Sequence, residues 1–226
     1  MGTRKRRRKA WFAALLVLTL LGSTSYILGW SSLLSVKNVV VVGAPNPSEA
    51  FAIAHNFRIG EKMARLESQK VSMALKTYTW LDHASISRNW LKGIVTVRVW
   101  TRTPIAQFQN HLVDQNGVVF DLPNIDTTHL PLITGTNTTS AKFATDLLSA
   151  LPSIMRTQVS SILVKGNDWA ILTIASVNKN LSVVWGDLME TSLKVKVYQA
   201  LIALPENVKV TYIDVSAPHA PIVKQN

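Results

Sequence analysis

His83-Ala-Ser-Ile-Ser-Arg-Asn-Trp90 and Ile94-Val-Thr-Val-Arg-Val-Trp100 are two strand-like runs joined by Leu91-Lys-Gly93. Both are rich in β-branched and aromatic residues, and glycine closes the connection. Upstream, Val36-Lys-Asn-Val-Val-Val-Val-Gly43 reads as another strand with its stop. Between them the spacing predicts two helices. The first starts at Glu49, capped by Ser48, with Phe51, Ile53 and Ala54 as a short apolar face, and breaks at Arg58-Ile-Gly60. The second runs from Glu67 to Trp80, with Val71, Leu75 and Tyr78 at helical spacing. Strand, helix, helix, strand, strand is the order of an α+β unit, here residues 35–103.

Pro104 marks a boundary, and the chain beyond it is mainly β. Runs at Gln107 to Gln115 and Val118 to Asp121 flank Asn116-Gly117, a strong hairpin signal. Leu130-Pro-Leu-Ile-Thr-Gly135 predicts a short strand. Ser140 can cap a helix through Leu151, with Phe143, Leu147 and Leu151 on one face and Pro152 as its stop. Strands follow at Ser161 to Lys165, Ala170 to Val177 and Leu181 to Trp185, with turns at Gly166-Asn-Asp168 and Asn178-Lys-Asn180 that suit a meander. A second helix is expected with Asp187 as its cap and Glu190 three residues on. Its expected stripe is Met189, Leu193, Val197, Leu201 and Leu204, and Glu190 with Lys194 forms an i,i+4 pair. Val208 to Val215 is the last expected strand. Ala217-Pro-His-Ala-Pro221 follows it, and prolines there argue for an exposed edge or tail. The expected unit is residues 104–217, a mainly antiparallel β-domain with two helices, followed by a tail at 218–226.

The N-terminus decides the compartment. Arg4, Lys5, Arg6, Arg7, Arg8 and Lys9 form a cationic run in a tail of residues 1–10, and no charge appears from Ala10 to Val36. Trp11 to Trp30 is 20 residues long. As a helix it would cover ~30 Å, the thickness of a bilayer's hydrocarbon core. A transmembrane helix is therefore expected over residues 11–34, with a tryptophan near each interface. The cations should hold the N-terminus in the cytoplasm and leave the rest outside, a single-pass type II arrangement. A cleaved signal peptide also has a basic start and an apolar middle, and Leu20-Leu-Gly22-Ser-Thr-Ser25 offers small residues for cleavage. The apolar pattern resumes at Tyr26-Ile-Leu-Gly-Trp30, longer than a usual signal core, which favours the anchor. A nucleic-acid patch is the other reading of the cations. A run abutting a span is more simply an orientation signal with an attraction to anionic lipid.

Composition narrows the chemistry. The net charge is +11, and without the six tail cations 18 Lys+Arg stand against 13 Asp+Glu, a net +5. That is a mildly basic surface, with no nucleic-acid partner expected. The chain has no cysteine, which removes disulfides and thiol chemistry. His55, His83, His111, His129 and His219 are scattered, with no i,i+4 pair for a helical metal site. No nucleophile-elbow, Walker-type or dinucleotide-binding run occurs. Asp114 and Asp121 flank one hairpin and could face each other, but turn-flanking aspartates are commonplace. No serine has a nucleophile's context, although counting alone leaves a Ser/Lys membrane peptidase open. No catalytic, cofactor-binding or metal-ligating set is read from these residues.

Motifs in order resemble the FtsQ/DivIB family of bacterial cell-division proteins. Ser35 to Gly43 is similar to the strand opening the family's POTRA domain. Trp80-Leu-Asp-His-Ala84-Ser-Ile86-Ser-Arg88-Asn-Trp90 resembles its V-x-x-A-x-V-x-R-x-W-P segment, and Val95 to Ala106 its v-x-v-x-E-R-x-P-x-A junction. Leu112 to Phe120 is similar to v-D-x-x-G-x-v-F, and Leu130-Pro131 to Gly135 to l-P-x-l-x-G. Gly186, the helix of Lys194 and Tyr212-Ile-Asp214-Val215 resemble the closing G…K-l…i-D-l-R. Leu91, Thr101 and Ser216 depart from the family's usual Pro, Glu and Arg.

The resemblance implies a non-enzymatic scaffold of the cell-division machinery, with no small-molecule substrate, in the cell membrane and concentrated at the septum. It implies a POTRA domain at 35–103 that contributes to septal recruitment. It also implies a β-domain that binds small coiled-coil partners resembling FtsB/DivIC and FtsL, whose chain adds as a strand beside the last strand. Physics supports the last point, because an edge strand presents unpaired N–H and C=O groups. The expected edge is Val210 to Val215, continued by Ala217 to Val223, with Val210, Tyr212, Asp214, Ser216, Ala217, His219 and Ile222 as binding positions. Alternation puts Tyr212 and Asp214 on one face and Thr211, Ile213 and Val215 on the other, where Ile213 and Val215 read as core. The alternative function is a POTRA-containing secretion or membrane-assembly factor, which would normally carry several such units or a barrel.

Overall fold

The computed structural model describes residues 3–29, 34–66, 68–176 and 179–225. The chain divides into two compact units, Met1–Thr101 and Arg102–Asn226.

In the first unit α1 (Thr3–Gly29) is one helix of 27 residues. Among the described residues no helix is long and apolar enough to cross a membrane. The span expected at 11–34 includes residues 30–33, which lie outside the described residues. Then come β1 (Asn38–Val42), α2 (Pro47–Ala54), a 3-10 turn (Met63–Arg65), α3 (Ser68–Leu75), β2 (Leu81–Asn89) and β3 (Ile94–Thr101). The sheet order is β1-β3-β2. β2 and β3 are antiparallel across the Leu91-Lys-Gly93 connection, whereas β1 lies parallel to β3, Asn38 opposite Ile94 and Val42 opposite Arg98. A parallel partner needs a crossover, and α2 and α3 supply it. Val95, Val97 and Val99 alternate inward from β3 and are buried with Ile53, Phe57, Met63 and Leu75.

Two local expectations are corrected. Asn46, not Ser48, caps α2: its Oδ1 accepts from Glu49 N at 2.8 Å and from the Ser48 hydroxyl at 2.6 Å. Phe51 is exposed and tilted against His55, and the buried residue of this helix is Ile53. α3 stops at Leu75, short of Trp80, because the chain passes through successive turns at Lys76, Thr77 and Tyr78 before β2. Glu67, where that helix was expected to start, is outside the described residues.

The second unit contains β4 (Pro104–Phe108), β5 (His111–Asp114), β6 (Val119–Phe120), β7 (Leu132–Thr134), α4 (Thr138–Ala150), α5 (Ser153–Gln158), β8 (Val159–Lys165), β9 (Trp169–Ser176) and β10 (Lys179–Gly186). After these come α6 (Thr191–Ala203), a 3-10 turn (Pro205–Asn207), β11 (Val210–Asp214) and β12 (Ile222–Gln225). They form a nine-stranded, mostly antiparallel sheet of order β12-β11-β10-β9-β8-β7-β4-β5-β6. The pairs β4/β7, β7/β8 and β10/β11 are parallel. α4, α5 and α6 share one apolar core with the sheet, through Leu147, Leu148, Met155, Val195 and Tyr198 against Ile162, Leu172, Ile174, Val183 and Trp185.

Here too the structure corrects details. Three helices are present where two were expected, because Pro152 ends α4 and starts a further short helix, α5, directly. The cap of α4 is Asn137, whose Oδ1 accepts from Ser140 N at 3.0 Å, so Ser140 is buried inside the first turn. The expected strand Gln107 to Gln115 is divided by a tight turn at Gln109, which takes a left-handed φ of 56°. The Asn116-Gly117 hairpin forms between β5 and β6. Asp114 is committed there: its Oδ1 accepts from Asn116 N and Val118 N, and its Oδ2 takes Arg102 at 2.6 Å. Asp121 pairs instead with His111 at 2.8 Å, so the two carboxylates have separate partners. The turn expected at Asn178 and the end of the strand at Val177 lie outside the described residues.

Candidate functional site

The last part of the second unit is built differently from the single terminal strand that the sequence suggested. β11 is not the edge. It is flanked on one side by β10, in parallel, with Ser182 opposite Tyr212 and Val184 opposite Asp214. On its other side lies β12, antiparallel, with Tyr212 opposite Lys224 and Asp214 opposite Ile222. The chain therefore does not continue outward from Val215 through Ala217 to Val223. It reverses and returns.

The reversal has identifiable causes. Val215 N makes a 3.0 Å bond to Val184 O. Asp214 Oδ1 then accepts from Ser216 N at 2.9 Å and from the Ser216 hydroxyl at 2.6 Å, closing an Asx turn. Ala220 N donates to Ala217 O at 3.0 Å, and Pro218 and Pro221 have no N–H to extend a ladder. Beneath the turn, Gly186 has a φ of +73°, and a Cβ there would lie 2.9 Å from Ser216 Cβ.

The binding positions expected from the sequence split into groups. Val210 and Ile213 are core, 2% and 1% exposed, and Val215 is fully buried. Simple alternation would have placed Val210 with Tyr212 and Asp214. A register irregularity between Val210 and Tyr212 adds a step and turns Val210 inward. Tyr212, Asp214 and Ser216 are half-buried, and Ala217 and His219 are exposed. Ile222 is 52% exposed. Burial, followed by the nearby Asp214 carboxylate, pushes the Tyr212 phenol above its ordinary pKa.

Every residue of β12 is exposed. It is terminal in the sheet, so among the described residues no strand lies beside its outer row of N–H and C=O groups. It is held from behind. Lys224 Nζ sits 5.2 Å from the centroid of the Tyr212 ring, and Gln225 Nε2 donates to Glu206 O at 3.1 Å. A shallow cavity of about 320 Å³ lies at the same end of the sheet, among Lys179, Tyr198, Val208 and Val210, with Lys179 Nζ donating to the Val208 and Val210 carbonyls.

The sequence reading missed one residue with a large structural role here. Lys194 is not a solvated partner of Glu190. Its side chain is buried, and its ammonium donates to Asp187 O and to Asp187 Oδ1. That hydrogen bond holds the Asp187 carboxyl below the usual range. Burying Lys194 rotates α6, so its core residues are Lys194, Val195 and Tyr198, while Met189 and Leu204 of the expected stripe are exposed. Asp187 is not the cap of α6: Glu190 occupies that place, in a left-handed conformation with no side-chain cap, and its carboxylate lies 3.4 Å from His219 Nε2. Only the buried end of this contact network could have been suspected from a lysine at a core-phase position.

Arg4 to Lys9 lie on the first turns of α1, and their side chains are outside what is described. Among the described residues no group of three or more His, Cys, Asp or Glu side chains could hold a metal ion. What the arrangement offers is backbone: an exposed ribbon paired to a partly buried strand.

A family model described as cell division protein FtsQ/DivIB, C-terminal, matches residues 104–216, ending within the turn that leads to β12. No curated protein matches the chain. The match takes in half of the sequence and nearly all of the second unit, from β4 to the Asx turn after β11, and the chain belongs to the FtsQ/DivIB family of cell-division proteins.

Proposed function

We propose that this protein is a membrane-anchored, non-catalytic scaffold of the division machinery, and that the outer edge of β12 takes up a strand of a partner resembling FtsB/DivIC, in an assembly with an FtsL-like protein. One observation carries the reading. β12 is exposed along its whole length, lies last in the sheet, and is backed by a strand whose inward residues are core. A partner strand there would satisfy the outer hydrogen-bonding row while adding little strain, since the ribbon is already extended.

The anchor is part of the proposal. In its favour, α1 is continuous over 27 residues, and Trp11, Phe12, Leu15, Leu16, Leu18 and Leu21 are exposed along it. The hydroxyls of Thr19, Ser23 and Thr24 are satisfied within the helix, donating to carbonyls three or four residues back. Such internal bonding suits a helix surrounded by lipid. The cations of residues 4–9 then place the N-terminus in the cytoplasm and the chain from residue 35 onward outside. The unit of 35–103 is read as the POTRA domain, with a role in recruitment to the septum. Membership of a division family favours this over a secretion factor.

Co-purification from solubilised membranes tests the reading. Ala217→Pro and Ile222→Pro should each lower recovery of the small membrane partner while leaving the melting temperature of the protein nearly unchanged. Full recovery with both substitutions would exclude strand addition at this edge. A fluorescent fusion should form a mid-cell band in dividing cells, and a uniform peripheral signal would count against a division role.

A further inference from the structure

We propose that the end of the first unit nearest α1 docks on the anionic lipid surface of the membrane, with Leu91 at its tip. The inference rests on the anchor reading of α1 given above.

Three segments are tied together at this end by backbone hydrogen bonds. Val36 N donates to Glu61 O at 2.8 Å and Gly60 N to Val36 O at 2.7 Å, which fixes the 58–62 loop beside the start of β1. Lys37 N donates to Gly93 O at 2.7 Å, which fixes the β2–β3 turn on the other side. Asn89 Oδ1 accepts from Lys92 N, so the turn is braced with Leu91 projecting. Leu91 is 91% exposed, the most exposed of the large apolar residues described. Ile59 is 65% exposed in the neighbouring loop, and Trp90 is 36% exposed beside Leu91.

Cations surround these apolar tips. Lys37, Arg58 and Lys92 are exposed and Lys62 is half-buried, while Glu61 is the half-buried acid among them. The charge is unevenly shared between the units. Residues 35–101 carry nine Lys+Arg against four Asp+Glu, whereas residues 102–226 carry nine of each. The excess beyond the N-terminal tail thus belongs wholly to the first unit.

Position selects lipid as the partner. Six Cα–Cα steps separate Gly29, the last residue of α1, from Ser35, which bridges to Lys62 in this cluster. Fully extended, they reach about 20 Å. α1 also approaches the turn Met63–Arg65. With α1 spanning the bilayer, this end is confined to the headgroup region, where apolar and aromatic tips ringed by Lys and Arg are favoured. Each cation near an anionic surface changes partitioning by about fivefold, so loss of three lowers the docked-to-free ratio about a hundredfold.

The chain has no cysteine, so single labels can be placed at will. The full chain in lipid nanodiscs, with or without phosphatidylglycerol, would carry an environment-sensitive dye on Leu18→Cys, Leu91→Cys or Ser85→Cys, and quenching by lipid-borne nitroxides would be read. We expect quenching at 18 in both discs, quenching at 91 in anionic discs that weakens with salt, and none at the exposed strand position 85. Adding Lys37→Gln, Arg58→Gln and Lys92→Gln should abolish quenching at 91 and leave 18 unchanged. Quenching at 18 without quenching at 91 overturns the docking and leaves the anchor standing. No quenching at 18 overturns the anchor, and the docking with it. Equal quenching at 91 in both discs overturns recognition of anionic lipid. Shielding of 91 only on addition of a protein partner would assign this end to that partner instead.

Discussion

The ammonium of Lys194, on a side chain 1% exposed, lies 2.8 Å from Asp187 Oδ1 and 3.0 Å from the Asp187 carbonyl oxygen. This pairing ties the connection between β10 and α6 to the helix beneath it, next to the turn that launches β12. Replacing Lys194 with Met keeps the volume but leaves the Asp187 carbonyl without its donor, at a cost of about 2 kcal/mol. The Asp187 carboxyl is held below its ordinary range chiefly by this hydrogen bond. Its contribution is therefore complete above the ordinary aspartate pKa of about 4 and fades as pH falls through the folded-state value. Urea denaturation at neutral and acid pH should show a smaller acid loss of stability in Lys194→Met than in the natural protein. An identical acid loss in both would remove Asp187 from the account.

Gly186 and Ser216 approach too closely for a side chain at 186. With φ at +73° and a built Cβ 2.9 Å from Ser216 Cβ, Gly186→Ala faces both backbone strain and a clash. The expected cost is about 1–3 kcal/mol. Because the clash falls on the turn after β11, partner capture should drop more than the thermal midpoint does. Capture at the natural level by a destabilised Gly186→Ala protein would separate the turn from binding.

At the start of the second unit, Arg102 and Asp114 form a 2.6 Å ion pair with side chains only 18% and 5% exposed. Asp114→Ala also frees the N–H groups of Asn116 and Val118. Loss of one partner of such a buried pair costs about 3–5 kcal/mol. The unfolding free energy of this unit, from chemical denaturation, should fall accordingly, and a fall of under about 1 kcal/mol would mean that water replaces the network.

If α1 serves only as tether and orientation signal, an unrelated span in place of residues 11–30, with Arg4 to Lys9 retained, should keep most division function. Complementation of a depleted strain by the chimaera checks this. Complete loss, with the chimaera present in the membrane, would mean that the helix itself carries recognition.

Local patterns were legible and long-range ones were not. The β-branched runs gave β1, β3, β8, β9 and β10 close to their observed bounds, and Asn116-Gly117 gave the turn between β5 and β6. Caps were misassigned by two or three residues, because Asn46 and Asn137 each precede a serine that looked equally able to cap and turned out to lie inside the helix. The face of α6 was misjudged because a lysine was assumed to be solvated, and Lys194 is buried by a bond that the β10–α6 connection creates. The site itself was half legible. Position along the chain pointed to the last strand, but parallel pairing of β10 with β11 is a non-local choice that no spacing encodes. β12 has four residues behind two prolines, too short a run to declare itself, and so the ribbon beyond β11 looked like a tail.

In-cell photo-crosslinking at the outermost strand bears most directly on the scaffold reading. A photoreactive residue placed in turn at Ile222, Val223, Lys224 and Gln225, with Leu163 on the central strand β8 as a control, should yield adducts with one small membrane protein from β12 and none from 163. Adducts absent from all four positions, in cells where the protein supports division, would contradict strand capture at β12.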